Sequence, residues 1–533
     1  MSRPSVTRAA LGMGAVTAAS RAFGFVRVLV IAAVLGTTYL GNAFQGTNSF
    51  SNVLFELLAA GALSAVLVPS LVALVDRGER AEAERVTGAL LGAALLVLVP
   101  VALVGVLAAP WLARVLLRGV DDPAVAEQQR ELATYLLRWF VPQIVLYAFG
   151  AVATAALYAS RRFAITAAAP IGNTIVMVGA LLAFRAAAGA EPGLDLSGGE
   201  RLLLAIAGTG GVLAFVGTLV VASHRAGFRL RPRRPTRDPA LVRILRLAGW
   251  GVLLHAGAGL LLGGAIVLGN EVEGGVVAYQ VAWVFFLAPY AILAQPVHTA
   301  ILPELASGAA RADLDGFGAD LRWALDTLAL VVVPVSAALV ALALPFMRVV
   351  VFGEAAGAGV SLIAAGMAAL AAGLVPYSAF FLLSRGFFAI GDSRTPALVA
   401  IGSAVLGVVV MGVLAPLTSG AARVAALGAG HSAAYALGAL GLLVALRRRT
   451  GIALRPTRFP IALAVAVPLA VAMWSGWEAL DVDGRVETGF VGLGLVALAG
   501  ALYLLALRTA GVQLPSRPSR DSTAPGPPRV GIA

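Results

Sequence analysis

The chain contains no cysteine and no lysine. The first absence excludes disulfides and thiolate metal sites. The second means that all 39 basic residues are arginine, set against 27 acidic ones for a net charge of +12. Charge of either sign is scarce: 12% of residues, where soluble domains carry about 25%. Only four histidines occur, His224, His255, His298 and His431, scattered and outside any H-E-x-x-H or similar metal spacing. There is no P-loop and no nucleophile elbow. Gly-rich strings such as GTGGVL lack the dinucleotide pattern. A primary ATP-driven pump is therefore excluded. An enzyme sharing the bilayer with a lipid substrate would cluster acidic or His side chains on its loops. The pairs Asp121/Asp122 and Glu271/Glu273 read instead as solvated loop charge. No catalytic residue, metal or cofactor is expected, and no nucleic-acid partner, because the arginines are better read as membrane-topology signals.

What the chain has in abundance is apolar length. It is 60% hydrophobic over 533 residues, with a mean hydropathy of +0.92. Apolar runs of roughly 20 residues, enough to cross hydrocarbon as a helix, recur almost end to end. Gly (61 residues) is spread through them and permits close helix packing. β-barrel alternation is absent, so helices are the remaining way to span. The fold class is all-α and polytopic. The first run starts near Ala9 and contains Arg21 and Arg27, so it reads as a retained helix rather than a cleaved signal peptide. Fourteen spans are expected, near 9–35, 43–75, 88–113, 132–158, 164–185, 201–223, 241–269, 274–300, 324–346, 360–385, 396–417, 424–446, 459–478 and 488–508. The second is too long for a straight span and implies a bent or interfacial end.

With the N-terminus inside, 28 arginines fall on cytoplasmic segments, 8 on outer segments, and Arg21, Arg27 and Arg138 within spans. This asymmetry supports a multi-pass protein of the cytoplasmic membrane with both termini cytoplasmic. The chain also compares with itself. AVLVPSLVAL holds Pro69 and HTAILPELAS holds Pro303; WFVPQIVLYAF holds Pro142 and AGLVPYSAFFL holds Pro376. Each pair is 234 residues apart. Two parallel six-helix repeats are expected, 1–223 and 241–446, joined by an Arg-rich cytoplasmic linker, 224–246, that runs into span 7. Two extra helices, 459–508, and a Pro/Ser/Arg-rich disordered tail, 511–533, lie outside the repeat.

Charges inside spans are costly, about 2.5–3.5 kcal/mol for a central Arg, and normally face a bundle interior or a hydrated cavity. Arg21 and Arg27, in ASRAFGFVRVLV, share a broad side of span 1. They suit the phosphates of an amphiphilic anion, or else an interhelical ion pair with Glu56 of span 2. Glu56 is then a counter-ion, in preference to a proton-coupling group. Arg138 reads as a headgroup anchor. Asn42, Gln45, Asn48 and Asn52 cluster around the start of span 2, either lining a cavity or bonding between helices.

These residues carry a family resemblance. SRAFGFVRVLVIAAVLGTTYLGNAF followed by GALSAVLVPSL resembles the opening of MurJ/MviN proteins. RGFFAIGDSRTP, Arg385–Pro396, is similar to that family's signature before span 11, with Arg385, Gly391, Asp392, Thr395 and Pro396 as its motif residues. The resemblance implies a fold of the multidrug/oligosaccharidyl-lipid/polysaccharide exporter type. It also implies that the chain flips the undecaprenyl-linked peptidoglycan precursor, lipid II, by alternating access in cell-wall biogenesis. Implied partners are a polyprenyl-pyrophosphate-linked glycan lipid, the bilayer, and proteins of cell-wall synthesis. Arg21 and Arg27 match two span-1 arginines of the family's central cavity and Asn52 matches an asparagine of its span 2; with Asn42 and Glu56 they make up the expected substrate-binding cavity. The sequence departs from the family pattern at Asn42, where many members have Asp, and around Phe55 and Glu56, where many have Arg. It departs again at Val284 and Leu287, where many have Arg and Glu. The alternatives are a flippase for another polyprenyl-linked glycan and a small-molecule antiporter of the same fold.

Overall fold

In a computed structural model, residues 6–55, 67–234 and 239–512 are described. No strand occurs among them. Their helices are α1 (Val6–Leu35), α2 (Tyr39–Phe55), α3 (Leu67–Asp76), α4 (Arg80–Leu107), α5 (Ala109–Leu116), α6 (Pro123–Phe140), α7 (Gln143–Ala159), α8 (Phe163–Ala188) and α9 (Gly198–Arg225). A second run follows: α10 (Pro239–Gly269), α11 (Gly275–Pro289), α12 (Gln295–Ala310), α13 (Leu314–Ala341), α14 (Ala343–Val350), α15 (Ala358–Ala371), α16 (Leu374–Ala389), α17 (Arg394–Leu414) and α18 (Gly420–Thr450). The chain closes with α19 (Arg458–Leu480) and α20 (Arg485–Thr509).

Twelve helices among the described residues are long and apolar enough to cross a membrane, thirteen if α15 and α16, bent by 47°, form one span. The expected count of fourteen is not reached because the second expected span, 43–75, runs through residues 56–66, outside those described. The expected tail likewise lies outside them from residue 513 onward.

Local sequence explains the helix ends. Asp122 caps α6 by accepting from the Ala124 and Val125 amides, with Pro123 at the first helical position. Ser197 and Glu200 form a reciprocal capping box at α9. Gly391, at φ +76°, turns the chain between α16 and α17, a conformation that costs glycine nothing. Prolines sit inside two helices, Pro100 in α4 and Pro334 in α13, where each removes a backbone donor from the helical ladder. A π-helical turn, Tyr290–Ala294, joins α11 to α12.

Spacing recurs along the chain. α4 and α13 are both 28 residues long, α5 and α14 both 8, and each second member begins 234 residues after the first. Pro100 and Pro334 share that offset. Pro69 lies in α3 and Pro303 in α12. Pro142 precedes α7, and Pro376 lies in the first turn of α16. The buried core divides accordingly. One cluster is built mainly from α11–α18 and another mainly from α1, α2, α5, α6, α8 and α9. Each borrows residues across the divide: Val28 and Ala32 join the former, Ile266 and Val276 the latter.

Candidate functional site: a cavity between two helix runs

Burial along the central helices is graded. On α1, Ala18, Ala19, Arg21, Ala22, Phe23 and Val26 are exposed, whereas Ile31, Ala32, Val34 and Leu35 are buried. On α2, residues 40–47 are all buried. On α10, Leu261, Ala265 and Ile266 are buried, and much of the preceding stretch is only half-buried. The two runs thus meet at the end of the molecule where α1 stops, and part toward the end where it begins. That open end carries the arginine-rich segments, held together by Arg161–Asp76 and Arg449–Asp392 ion pairs.

The closed end is sealed by amides. The Asn42 side chain donates to the Val272 carbonyl (2.9 Å) and accepts from the Val276 amide (3.0 Å). Gln129 and Asn270, both fully buried, exchange reciprocal side-chain hydrogen bonds of 2.9 and 3.1 Å. Gln280 donates to Ser49 (2.7 Å). At the rim Arg185 pairs with Glu354 at 2.6 Å. Such bonds satisfy polar groups that would otherwise be buried unpaired.

Arg21 and Arg27 lie on the open side of this seal, about 9 Å apart along α1 by helical rise. The Arg21 guanidinium donates to the Gln295 side chain at the start of α12 (3.1 Å), so it bridges the two runs. Arg27 is half-buried and within electrostatic reach of the Tyr147 hydroxyl of α7. Tyr147 in turn donates to the Asn52 side-chain oxygen (2.9 Å). Among the described residues no carboxylate lies within 4 Å of either arginine. The structure therefore brings together Arg21, Arg27 and Asn52. Glu56 lies outside the described residues. Asn42, expected to line the cavity, is placed in the seal: it is fully buried and both ends of its amide are engaged by backbone. Tyr147 and Gln295 are partners that a search for charged residues passes over; their polar side chains inside apolar spans are the only sequence signal for them.

The motif Arg385–Pro396 has two parts. Arg385, half-buried on α16, is within electrostatic reach of Tyr290 and His298. Asp392 is a structural hub between α16 and α17. It accepts from the Thr395 amide (3.0 Å), the Thr395 hydroxyl (2.7 Å) and the Arg449 guanidinium at the end of α18. Burial pushes the Asp392 carboxyl up, but Thr395, Arg449 and the Arg394 amide outweigh it and hold it below the usual carboxylate range. Pro396, buried in the first turn of α17, removes a donor that has no helical partner there.

A separate groove of about 770 Å³ lies between α13, α14, α19 and α20, lined by Leu330, Pro334, Phe346, Met473 and Leu504 among others. Its walls are almost wholly apolar, which suits hydrocarbon.

A bundle of this kind, with two runs of membrane-length helices that meet at one end and part toward the other, is a multi-pass membrane transporter. Solved structures agree on the fold. A structure described as lipid II flippase MurJ in an inward closed conformation superposes with a TM-score of 0.72 at 16% identity, covering 93% of this chain and 99% of that one. An outward-facing multidrug transporter of the MATE family superposes at 0.53 with 15% identity, covering 83% and 95%. A family model described as "Lipid II flippase MurJ" matches residues 31–482, and the chain belongs to that family. Curated relatives include the probable lipid II flippase MurJ of Rhizobium tropici, 27% identical over 94% of this chain and 93% of its own length. The lipid II flippase MurJ of Burkholderia cenocepacia is 26% identical over 89% and 90%.

Proposed function

We propose that this chain flips lipid II, the polyprenyl-pyrophosphate-linked peptidoglycan precursor, across the cytoplasmic membrane by alternating access, with its arginine-rich end and both termini cytoplasmic. The observation that carries this reading is the pair Arg21 and Arg27, set on the open side of the seal and unpaired by any described carboxylate. A pyrophosphate headgroup loses its hydration in hydrocarbon. Two guanidiniums offer bidentate replacement, and the neighbouring Tyr147, Asn52 and Gln295 add neutral hydrogen-bonding groups. The apolar groove beside α19 and α20 suits the prenyl chain. The two runs, with their recurrent spacing, then act as halves that rock about the central cavity.

A second reading, a flippase for another polyprenyl-linked glycan, is favoured by one feature. Val284 and Leu287 of α11 are half-buried and packed on the apolar core, so this stretch of the second half adds no charge to the cavity. One experiment addresses both. In a strain depleted of its own lipid II flippase, this chain is expressed and the accumulating lipid-linked precursors are identified. Relief of lipid II accumulation supports the first reading. No relief at normal expression, with another polyprenyl-linked glycan accumulating when the chain is removed from its native host, overturns it in favour of the second.

A further inference from the structure

Both helix runs end in a short string of the form G-x-x-L-R-P. After α9 the chain reads GFRLRP (227–232), and after α18 it reads GIALRP (451–456). Both glycines are left-handed, at φ +83° and +76°. In the second copy the string leads directly into α19. Asp326 of α13 accepts from the Thr457 hydroxyl (3.1 Å) and the Arg458 amide (3.0 Å), and so starts that helix against α13. α19 and α20 then cover a stripe of α13, where Leu330 and Val333 are each only 3% exposed.

In the first copy the string becomes an extended strap on α4. Phe228 is buried under the Arg80 guanidinium, 5.0 Å from its ring centre. Leu230 packs between α4, α7 and α9. Arg80 donates to the Ala226 carbonyl, the Arg229 amide donates to Glu84 (3.0 Å), and the Arg233 amide donates to the Gly88 carbonyl (2.9 Å). Gly88 and Gly92 form the notch, and a methyl group on Gly92 would collide with the Arg233 carbonyl. Gly92 stands 234 residues before Asp326, so strap and α19 occupy equivalent stripes of equivalent helices. Beyond the strap the α4 stripe is bare. Leu96, Val99, Leu103 and Leu107, at helical spacing from Gly92, are 65%, 49%, 61% and 73% exposed. The strap therefore ends where a hydrocarbon-facing surface begins, about 18 Å along α4 from Arg80 by helical rise.

With Phe228 and Leu230 turned inward, Arg229, Arg231, Arg233 and Arg234 are all exposed, and among the described residues none of their guanidiniums has a carboxylate within 4 Å, Glu84 being engaged by the Arg229 backbone amide. The equivalents in the second copy of the first and third are Ala453 and Thr457. We propose that this strap is a docking row for the phosphates of anionic phospholipids in the leaflet at the arginine-rich end, distinct from the central cavity. Guanidiniums held at the edge of hydrocarbon need a counter-charge at the headgroup level, and the strap presents four exposed ones within six residues.

The test is retention of phosphatidylglycerol and cardiolipin on the purified full chain through delipidation, read by native mass spectrometry, with phosphatidylcholine as the neutral comparison. Surface arginines contribute about fivefold each to anionic-lipid affinity. Replacing Arg229, Arg231, Arg233 and Arg234 with Gln should lower retention of the anionic lipids by at least about tenfold and leave phosphatidylcholine unchanged. Removing four exposed arginines elsewhere at the same end, Arg311, Arg447, Arg448 and Arg455, should lower it much less, because they form no fixed strap at the edge of the bare α4 stripe. Gly92→Leu, which keeps every charge but displaces the strap, should reduce retention too. Equal loss in the control quadruple variant would reduce the effect to net charge and overturn the proposal, as would undiminished retention in the strap variant. Displacement of the lipids by millimolar inorganic phosphate would make the row a free-phosphate site and overturn it equally.

Discussion

Gln129→Leu should open the seal. Gln129 and Asn270 satisfy each other in a fully buried pair. Leucine fills similar volume but offers neither donor nor acceptor, so Asn270 keeps only its 3.3 Å bond to the Arg118 carbonyl. A buried polar group stripped of its partner costs about 1–3 kcal/mol. That cost falls on the sealed state alone, because the opened seal exposes Asn270 to water. The open-to-sealed ratio should rise roughly five- to 150-fold. The reporter is Val277→Cys on α11, a fully buried position that packs on Gly41 of α2 across the divide. The native chain has no cysteine, so an impermeant maleimide added to intact cells reads this position alone. Labelling should accelerate in the Gln129→Leu background. It should slow again when Asn270→Leu is added, since two apolar side chains leave no carboxamide unsatisfied. A single variant labelled no faster than its parent, or a double labelled as fast as the single, would refute the assignment of this pair to the seal.

Arg21→Ala should leave expression normal and abolish complementation, with Arg21→Lys restoring it only in part, because an ammonium lacks the planar fork; full complementation by Arg21→Ala would remove Arg21 from the site. If Arg21 instead pairs with Glu56, Arg21→Ala lowers folded yield and Glu56→Gln restores it. Asp392→Asn should cost about 0.5–2 kcal/mol, the usual worth of a helix cap, read as a lower thermal transition in detergent. The Asp392 carboxyl is held below its ordinary range, so its contribution is complete above about pH 4 and is lost as pH falls through the depressed folded value; the acid limb of the stability profile should flatten in the variant. A cysteine at position 233 should react with an impermeant reagent only after the cells are permeabilised; labelling in intact cells would reverse the proposed orientation.

The sequence displays membrane spans because hydrocarbon thickness imposes a length and a composition that no soluble helix needs. It displays Arg21 and Arg27 because a charge at that depth is expensive enough to demand a reason. It does not display their neighbours. Tyr147 and Gln295 reach the arginines from α7 and α12, and which side chains meet across a divide depends on how the helices are docked. Nor does it divide the polar cluster on α2. Asn42 and Asn52 look alike in a string of ten residues, but those residues rise about 15 Å. Asn42 therefore lies in the seal, against the backbone around α11, and Asn52 lies on its open side, against Tyr147. The breaks inside expected spans, such as the π-helical turn after Pro289, are equally silent in a hydropathy profile.

The contact between Asn42 and Val276 has a further consequence. These residues are 234 apart, the same interval that separates α4 from α13 and Pro100 from Pro334. On the proposal that the two runs are repeated halves, a residue that touches its own counterpart sits close to the axis relating them, where α2 and α11 meet. Rocking of the halves must part this crossing before a substrate can leave by that end. The bonds that close it are carboxamide, hydroxyl and backbone bonds, with charge confined to Arg185–Glu354 at the rim. Each neutral bond is worth about 0.5–1.5 kcal/mol net, because water replaces it on opening. The six that cross between the runs therefore hold the seal by roughly 3–9 kcal/mol. A potential of 100 mV acting on two charges supplies up to about 4.6 kcal/mol, and the cavity carries two arginines. A seal of buried ion pairs would demand more, since parting one member from the other strands a charge. A gate built from amides at the axis is therefore within the reach of the energy a charged lipid and a membrane potential can bring to it.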